Sequence, residues 1–137
     1  MTPRFIVTIL VWPWFGVLAR IALTLPYWTS GMSKLLNLKA AQAETEALGL
    51  RPARLVLTLT IVLELGASLA VITNRFTWFA AGALAVFTCV AATLAYPFWR
   101  ARDPARRFND RNAFFEHIGL IGGCMLVSIL AFCQHLK

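Results

Sequence analysis

Four apolar runs divide the chain, at about residues 5–32, 55–73, 78–99 and 114–133. Each approaches the ~20 residues an α-helix needs to cross about 30 Å of hydrocarbon. The first carries one charge, Arg20, near its middle, and the second carries one, Glu64, also central. The third has none, and Glu116 and His117 stand at the entrance of the fourth. Pro13 belongs to the first turns of run one, where a missing N–H costs little, whereas Pro26 predicts a kink. Trp12 and Trp14 near one end of that run, and Tyr27 and Trp28 towards the other, suit aromatic belts at the headgroups. No small-x-small site follows a short apolar core, so run one reads as a retained span rather than a cleaved leader.

The connections are equally informative. Residues 36–48 read as a weakly amphipathic helix lying at the interface, closed by Gly49, with Arg51-Pro52 opening the next span. Runs two and three are joined by little more than residues 73–77 and so form an antiparallel hairpin. Residues 100–111 carry five arginines and two aspartates and read as an aqueous connection. The predicted fold is an all-α integral membrane protein, a single domain over 1–137: a four-transmembrane-helix bundle with a short interfacial helix between helices 1 and 2.

Composition agrees. Of 137 residues, 59% are hydrophobic and 14% charged, against ~45–50% and ~25% in soluble domains. A small soluble fold has too little interior to hide so much apolar surface. The net charge of +7 does not point to nucleic acid, because the basic residues fall between the apolar runs and no recognition motif accompanies them. They orient the bundle instead. Arg4, Arg75 and Lys137 lie on the side of the termini and hairpin, three against nine on the side of the two longer loops. The positive-inside rule puts those loops in the cytoplasm and both termini outside.

Arg20 and Glu64 are the sharpest candidates for chemistry. Each is central in its run, which predicts that they meet at one depth, since an isolated charge there costs ~2.5 kcal/mol or more. Two readings stand: the pair fixes helix register and nothing else, or it lines a polar cavity for a headgroup, quinone or small anion. Lys34, Glu116 and His117, with Tyr96 and Trp99, would close a mouth above it; alternatively, Lys34 snorkels to lipid phosphates and His117 sits among headgroups. Cys89, Cys124 and Cys133 form no C-x-x-C and read as packed free thiols, although Cys89 and Cys124 fall at similar depth. The two histidines stand at opposite ends of the last helix, so no metal or haem site is expected. Gly119-x-x-x-Gly123 marks a face for close packing inside the bundle or across a homodimer. No catalytic or nucleotide-binding motif is present.

The order Arg20, Gly31-x-x-Lys34, Gly49-Leu50-x-Pro52, Glu64-x-Gly66 and Phe115-Glu116 leading into Leu120-Ile121-Gly122-Gly123 resembles the DoxX family, over residues 18–130. The resemblance implies a small bacterial inner-membrane protein of four transmembrane helices. The family's name derives from a membrane thiosulfate:quinone oxidoreductase, and its members are associated with redox assemblies and oxidative-stress responses. Arg20, Lys34 and Glu64 match its recurrent polar positions. The family commonly has Lys-Asn where this chain has His117-Ile118. The implied function is an accessory or quinone-proximal subunit of a membrane redox system, with a quinone or lipid as ligand and no covalent cofactor. Electron transfer would then rest with a membrane or soluble partner carrying flavin, sulfur or metal chemistry. The alternatives are a non-catalytic assembly or lipid-contacting protein and a minimal small-molecule carrier, the latter lacking the internal repeats of secondary transporters.

Overall fold

A computed structural model describes residues 2–136, apart from the side chain of His135. Its elements are α1 (Arg4–Leu10), α2 (Pro13–Leu36), α3 (Leu38–Ala47), α4 (Ala53–Ile72), α5 (Thr77–Ala95) and α6 (Pro104–His135), with no strand among the described residues. Three helices, α4, α5 and α6, are long and apolar enough to cross a membrane. The bent pair of α1 and α2, which meet at 61°, makes a fourth if it is one span.

Three boundaries differ from the hydropathy pattern, each because of a proline. Trp12 is extended (φ −66°, ψ 124°), because the residue before proline is pushed out of the α region. Run one therefore breaks there, and Pro13 opens a new helix that continues through Pro26 to Leu36. At the other end of the bundle, α5 stops at Ala95 because Tyr96, preceding Pro97, also leaves helical geometry (φ −124°). The basic stretch after it is not all loop. Asp103 accepts from the Arg106 N–H at 2.8 Å, Pro104 takes the first helical position, and α6 starts some ten residues before the apolar run. That is an N-cap with proline behind it. Asp103→Ala is expected to cost about 1 kcal/mol, seen as faster amide exchange in the first turn of α6.

The bundle turns its large apolar side chains outward. Leu59, Val62, Leu69, Phe79, Val86, Leu126 and Ile129 are exposed on its flanks. The inward stripes of α4 (Leu57, Ile61, Glu64, Ser68, Val71) and α5 (Thr77, Ala81, Leu84, Thr88, Ala92) mix small and polar groups with aliphatic ones. That is how helices pack when lipid, rather than water, covers the outside. α3 lies on α4, with Ala41 against Leu57 and Ile61.

The helices pack in the spatial order α2–α4–α5–α6, and α2 and α6 scarcely meet. The seam between them is held mainly at a waist. A Cβ on Gly123 would sit 2.8 Å from Leu23 Cδ1, and just below it Tyr27 reaches Thr88 Oγ1 at 2.6 Å and Cys124 Sγ at 3.7 Å. Tyr27 is thus a buried bridge between helices rather than a headgroup anchor. Of the G-x-x-x-G pair only Gly123 makes a close approach; Gly119 faces open space. Cys124 is buried, whereas Cys89 and Cys133 turn outward, so neither is a packed core thiol and Cys89 does not join Cys124. The waist separates two cavities, one towards the α4–α5 hairpin and one towards α3 and the basic connection.

Candidate functional site

The cavity at the basic end is built around Glu64. Its position on the inward stripe of α4 leaves it 3% exposed. Its partner is Lys34, two turns beyond Tyr27 on α2, whose Nζ donates to Oε1 at 2.8 Å, Oε2 at 2.9 Å and Ser30 Oγ at 2.9 Å. Three ammonium protons meet three acceptors, so the lysine is fully spent.

The expected Arg20–Glu64 pairing is therefore corrected. The residue level with Glu64 on α2 is Gly31, whose added Cβ would lie 3.2 Å from the Glu64 Cβ. Arg20 is eleven residues earlier, roughly 16 Å along the axis at 1.5 Å per residue. α2 runs from Pro13 to Leu36, so its own middle falls at about residue 24, and equal centrality in the two apolar runs did not bring Arg20 level with Glu64. Lys34 correspondingly folds inward and does not snorkel. Arg20 lines the other cavity, where its Nε is buried without a hydrogen-bond partner.

The Lys34–Glu64 cavity has a volume of about 360 Å³ and is walled by α2, α4, α5 and α6. Beyond the ion pair its polar lining includes Ser30, Tyr96 and His117. His117 Nδ1 lies 2.7 Å from the Ala113 carbonyl. A carbonyl only accepts, so Nδ1 carries the proton and the neutral ring leaves a free lone pair on Nε2. Tyr96 packs on that imidazole with centroids 5.0 Å apart. At the waist, Thr88 donates to the Leu84 carbonyl at 2.6 Å, so Tyr27 donates to Thr88 and both protons are spent. What remains for a ligand is the carboxylate of Glu64 and His117 Nε2 as acceptors, and the Ser30 and Tyr96 hydroxyls as donors. Phe87 and Tyr96 supply ring faces.

Of the five residues singled out from sequence, Lys34, Glu64 and His117 meet here. Glu116, one position from His117, is exposed and outside the cavity, as adjacent helical residues point apart. Trp99 is exposed and packs with Phe98 and Phe114 instead. Ser30, Thr88 and the bridging role of Tyr27 were missed. A signal for them existed: Thr24, Tyr27, Gly31 and Lys34 recur at three- and four-residue spacing, marking an inward polar face that the hydropathy of the run hides.

Apolar helices enclosing a buried ion pair and a polar cavity define a multi-pass membrane protein. The sequence profile of the DoxX family matches residues 16–97, from the first turn of α2 to just beyond α5, and the chain belongs to that family. The match includes Arg20, Lys34 and Glu64 but not His117. No curated protein and no solved structure matches the chain.

Proposed function

We propose that this DoxX-family protein is an accessory, quinone-proximal subunit of a bacterial inner-membrane redox system, and that the Lys34–Glu64 cavity receives the head of a quinol. It is read as a four-span bundle with α3 at the interface, the termini outside and the basic connections in the cytoplasm. The cavity then lies in the cytoplasmic half of the bilayer.

The observation that carries this reading is the balance of unspent polar groups. Lys34 has no proton to offer, while Glu64 and His117 Nε2 offer lone pairs inside a largely apolar cavity. A ring hydroxyl can donate to these acceptors and also accept from the Ser30 or Tyr96 hydroxyl, where a bare carbonyl could only accept, and the aromatic faces suit a planar head. The group would supply a two-electron, two-proton couple when bound. The chain's own residues bind and orient it, and His117 Nε2 can hold one of its protons. Transfer of electrons falls to a partner with its own carrier.

Native mass spectrometry of protein gently extracted from its own membrane tests the reading. Wild type is expected to retain a quinone-class molecule, and Glu64→Gln, which keeps the shape but loses the charged acceptor, to retain roughly tenfold less while staying folded. Equal retention by both, or none by wild type, contradicts it. The second reading, a non-catalytic assembly protein, draws on the saturation of Lys34: a fully satisfied pair is also what a helix clasp requires.

A further inference from the structure

The cavity at the hairpin end is the chemical opposite of the first. It measures about 390 Å³ and is lined by α2, the α4–α5 turn and the second half of α6. Among the described residues its only charged side chain is Arg20, which makes no ion pair or side-chain hydrogen bond with any of them, with Nε buried and unpartnered. A guanidinium is the hardest side chain to neutralise by losing its proton, so it needs an anion.

The chain provides no Asp or Glu for it. Glu44 and Glu46 are on α3, Asp103, Asp110 and Glu116 lie at the start and in the first half of α6, and Glu64 is bonded to Lys34. All six acidic residues are at the basic end or in the middle of the bundle, and the hairpin end holds only Arg4, Arg20 and Arg75 among its described charges. The other polar lining reinforces this sign. Thr77 donates to Asn74 Oδ1 at 3.1 Å, which leaves the Asn74 amide protons free, and Gln134 adds a second amide. Leu23, Leu126 and Leu130 supply apolar lining. The seam between α2 and α6 is unfilled at this level, because Gly16 has nothing within 4 Å of where a Cβ would stand.

We infer that this cavity is a second binding site, for an anionic amphiphile: a phosphate or carboxylate head on Arg20, Asn74 and Gln134, with hydrocarbon along the three leucines. A membrane phospholipid carrying net negative charge has that chemistry, whereas a free phosphate shares only the head. The site is independent of the quinol reading, since no residue lines both cavities.

The test is native mass spectrometry of detergent-purified, delipidated protein titrated with phosphatidylglycerol, with phosphatidylcholine of the same acyl chains, and with inorganic phosphate. Phosphatidylglycerol is expected to bind the wild type in preference to both. Arg20→Gln is expected to weaken it roughly ten- to a hundredfold, the range for hydrogen bonds to a charged group. Ala19→Phe, which keeps Arg20 but fills space beside it, is expected to weaken it as well, so the result does not hang on one variant's folding. Glu64→Gln is expected to bind phosphatidylglycerol as wild type does, which separates this site from the other cavity. Equal binding of the two lipids, binding of phosphate without preference for the lipid, or unchanged binding in Arg20→Gln and Ala19→Phe would overturn the proposal.

Discussion

Replacing Lys34 by Met should be among the most damaging single changes in the chain, at about 3–5 kcal/mol. Methionine keeps most of the aliphatic stem, so packing along α2 changes little. What is lost is the cation on Glu64, whose side chain is 4% exposed against 25% for that of Lys34. A carboxylate left in that position loses its counter-ion while it stays almost wholly buried, and its desolvation is then largely uncompensated. The double variant Lys34→Met/Glu64→Leu removes both charges and should regain most of the loss, since apolar replacements of a buried pair are often neutral. Denaturant titration in detergent reads both effects. A single variant within ~0.5 kcal/mol of wild type, the range of ordinary surface changes, would mean that the pair holds nothing together.

Gly31→Leu is expected to be nearly as severe, for a steric reason with an electrostatic consequence. At this position α2 and α4 approach so closely that a Cβ alone would lie 3.0 Å from both Leu65 Cγ and Cδ2 and 3.2 Å from the Glu64 Cβ. The Leu65 side chain can yield to a methyl group, but the Glu64 Cβ is tied to the backbone, so a leucine must push the helices apart. Overpacking of this kind costs about 1–3 kcal/mol. Lys34 is one turn further on, so the displacement also draws its ammonium away from Glu64, and together about 3 kcal/mol or more is expected. Gly31→Ala should fall well below that. Gly66→Leu is the control, because Gly66 is exposed with nothing within 4 Å, and its cost should stay within ~1 kcal/mol. Equal thermal stability of the Gly31 and Gly66 leucine variants would contradict the close approach.

What the sequence disclosed followed from the kind of signal each feature leaves. Hydropathy located α4 and α5 to within a few residues, because both are uninterrupted apolar stretches bounded by turn residues. It blurred α1 into α2, because the break at Trp12 comes from proline sterics within a run that stays apolar on both sides. It placed the start of α6 too late for the converse reason: Arg106, Arg107 and Arg111 look aqueous, yet Asp103-Pro104 is a helix start whatever the hydropathy. The lone charges in the first two apolar runs brought Arg20 and Glu64 forward, and the family resemblance matched them and Lys34 to recurrent polar positions. Their pairing was another matter, since it depends on the register of α2 against α4. Gly31 sets that register, and a glycine reveals its close approach only in three dimensions. His117 could be named as a titratable group, but its tautomer follows from the Ala113 carbonyl four residues before it, which no side-chain motif announces.

The account turns on the Lys34–Glu64 cavity being a binding site and not solely a clasp between helices. The most direct measurement is the equilibrium binding of a short-chain quinol, kept reduced under anaerobic conditions, to wild type and to Lys34→Met/Glu64→Leu in the same detergent. The double variant should unfold within ~1 kcal/mol of wild type, so a difference in binding cannot be a difference in folding. The account predicts that it binds the quinol at least roughly tenfold more weakly. Equal affinity in a folded double variant would contradict it and leave the ion pair as a structural fastening alone.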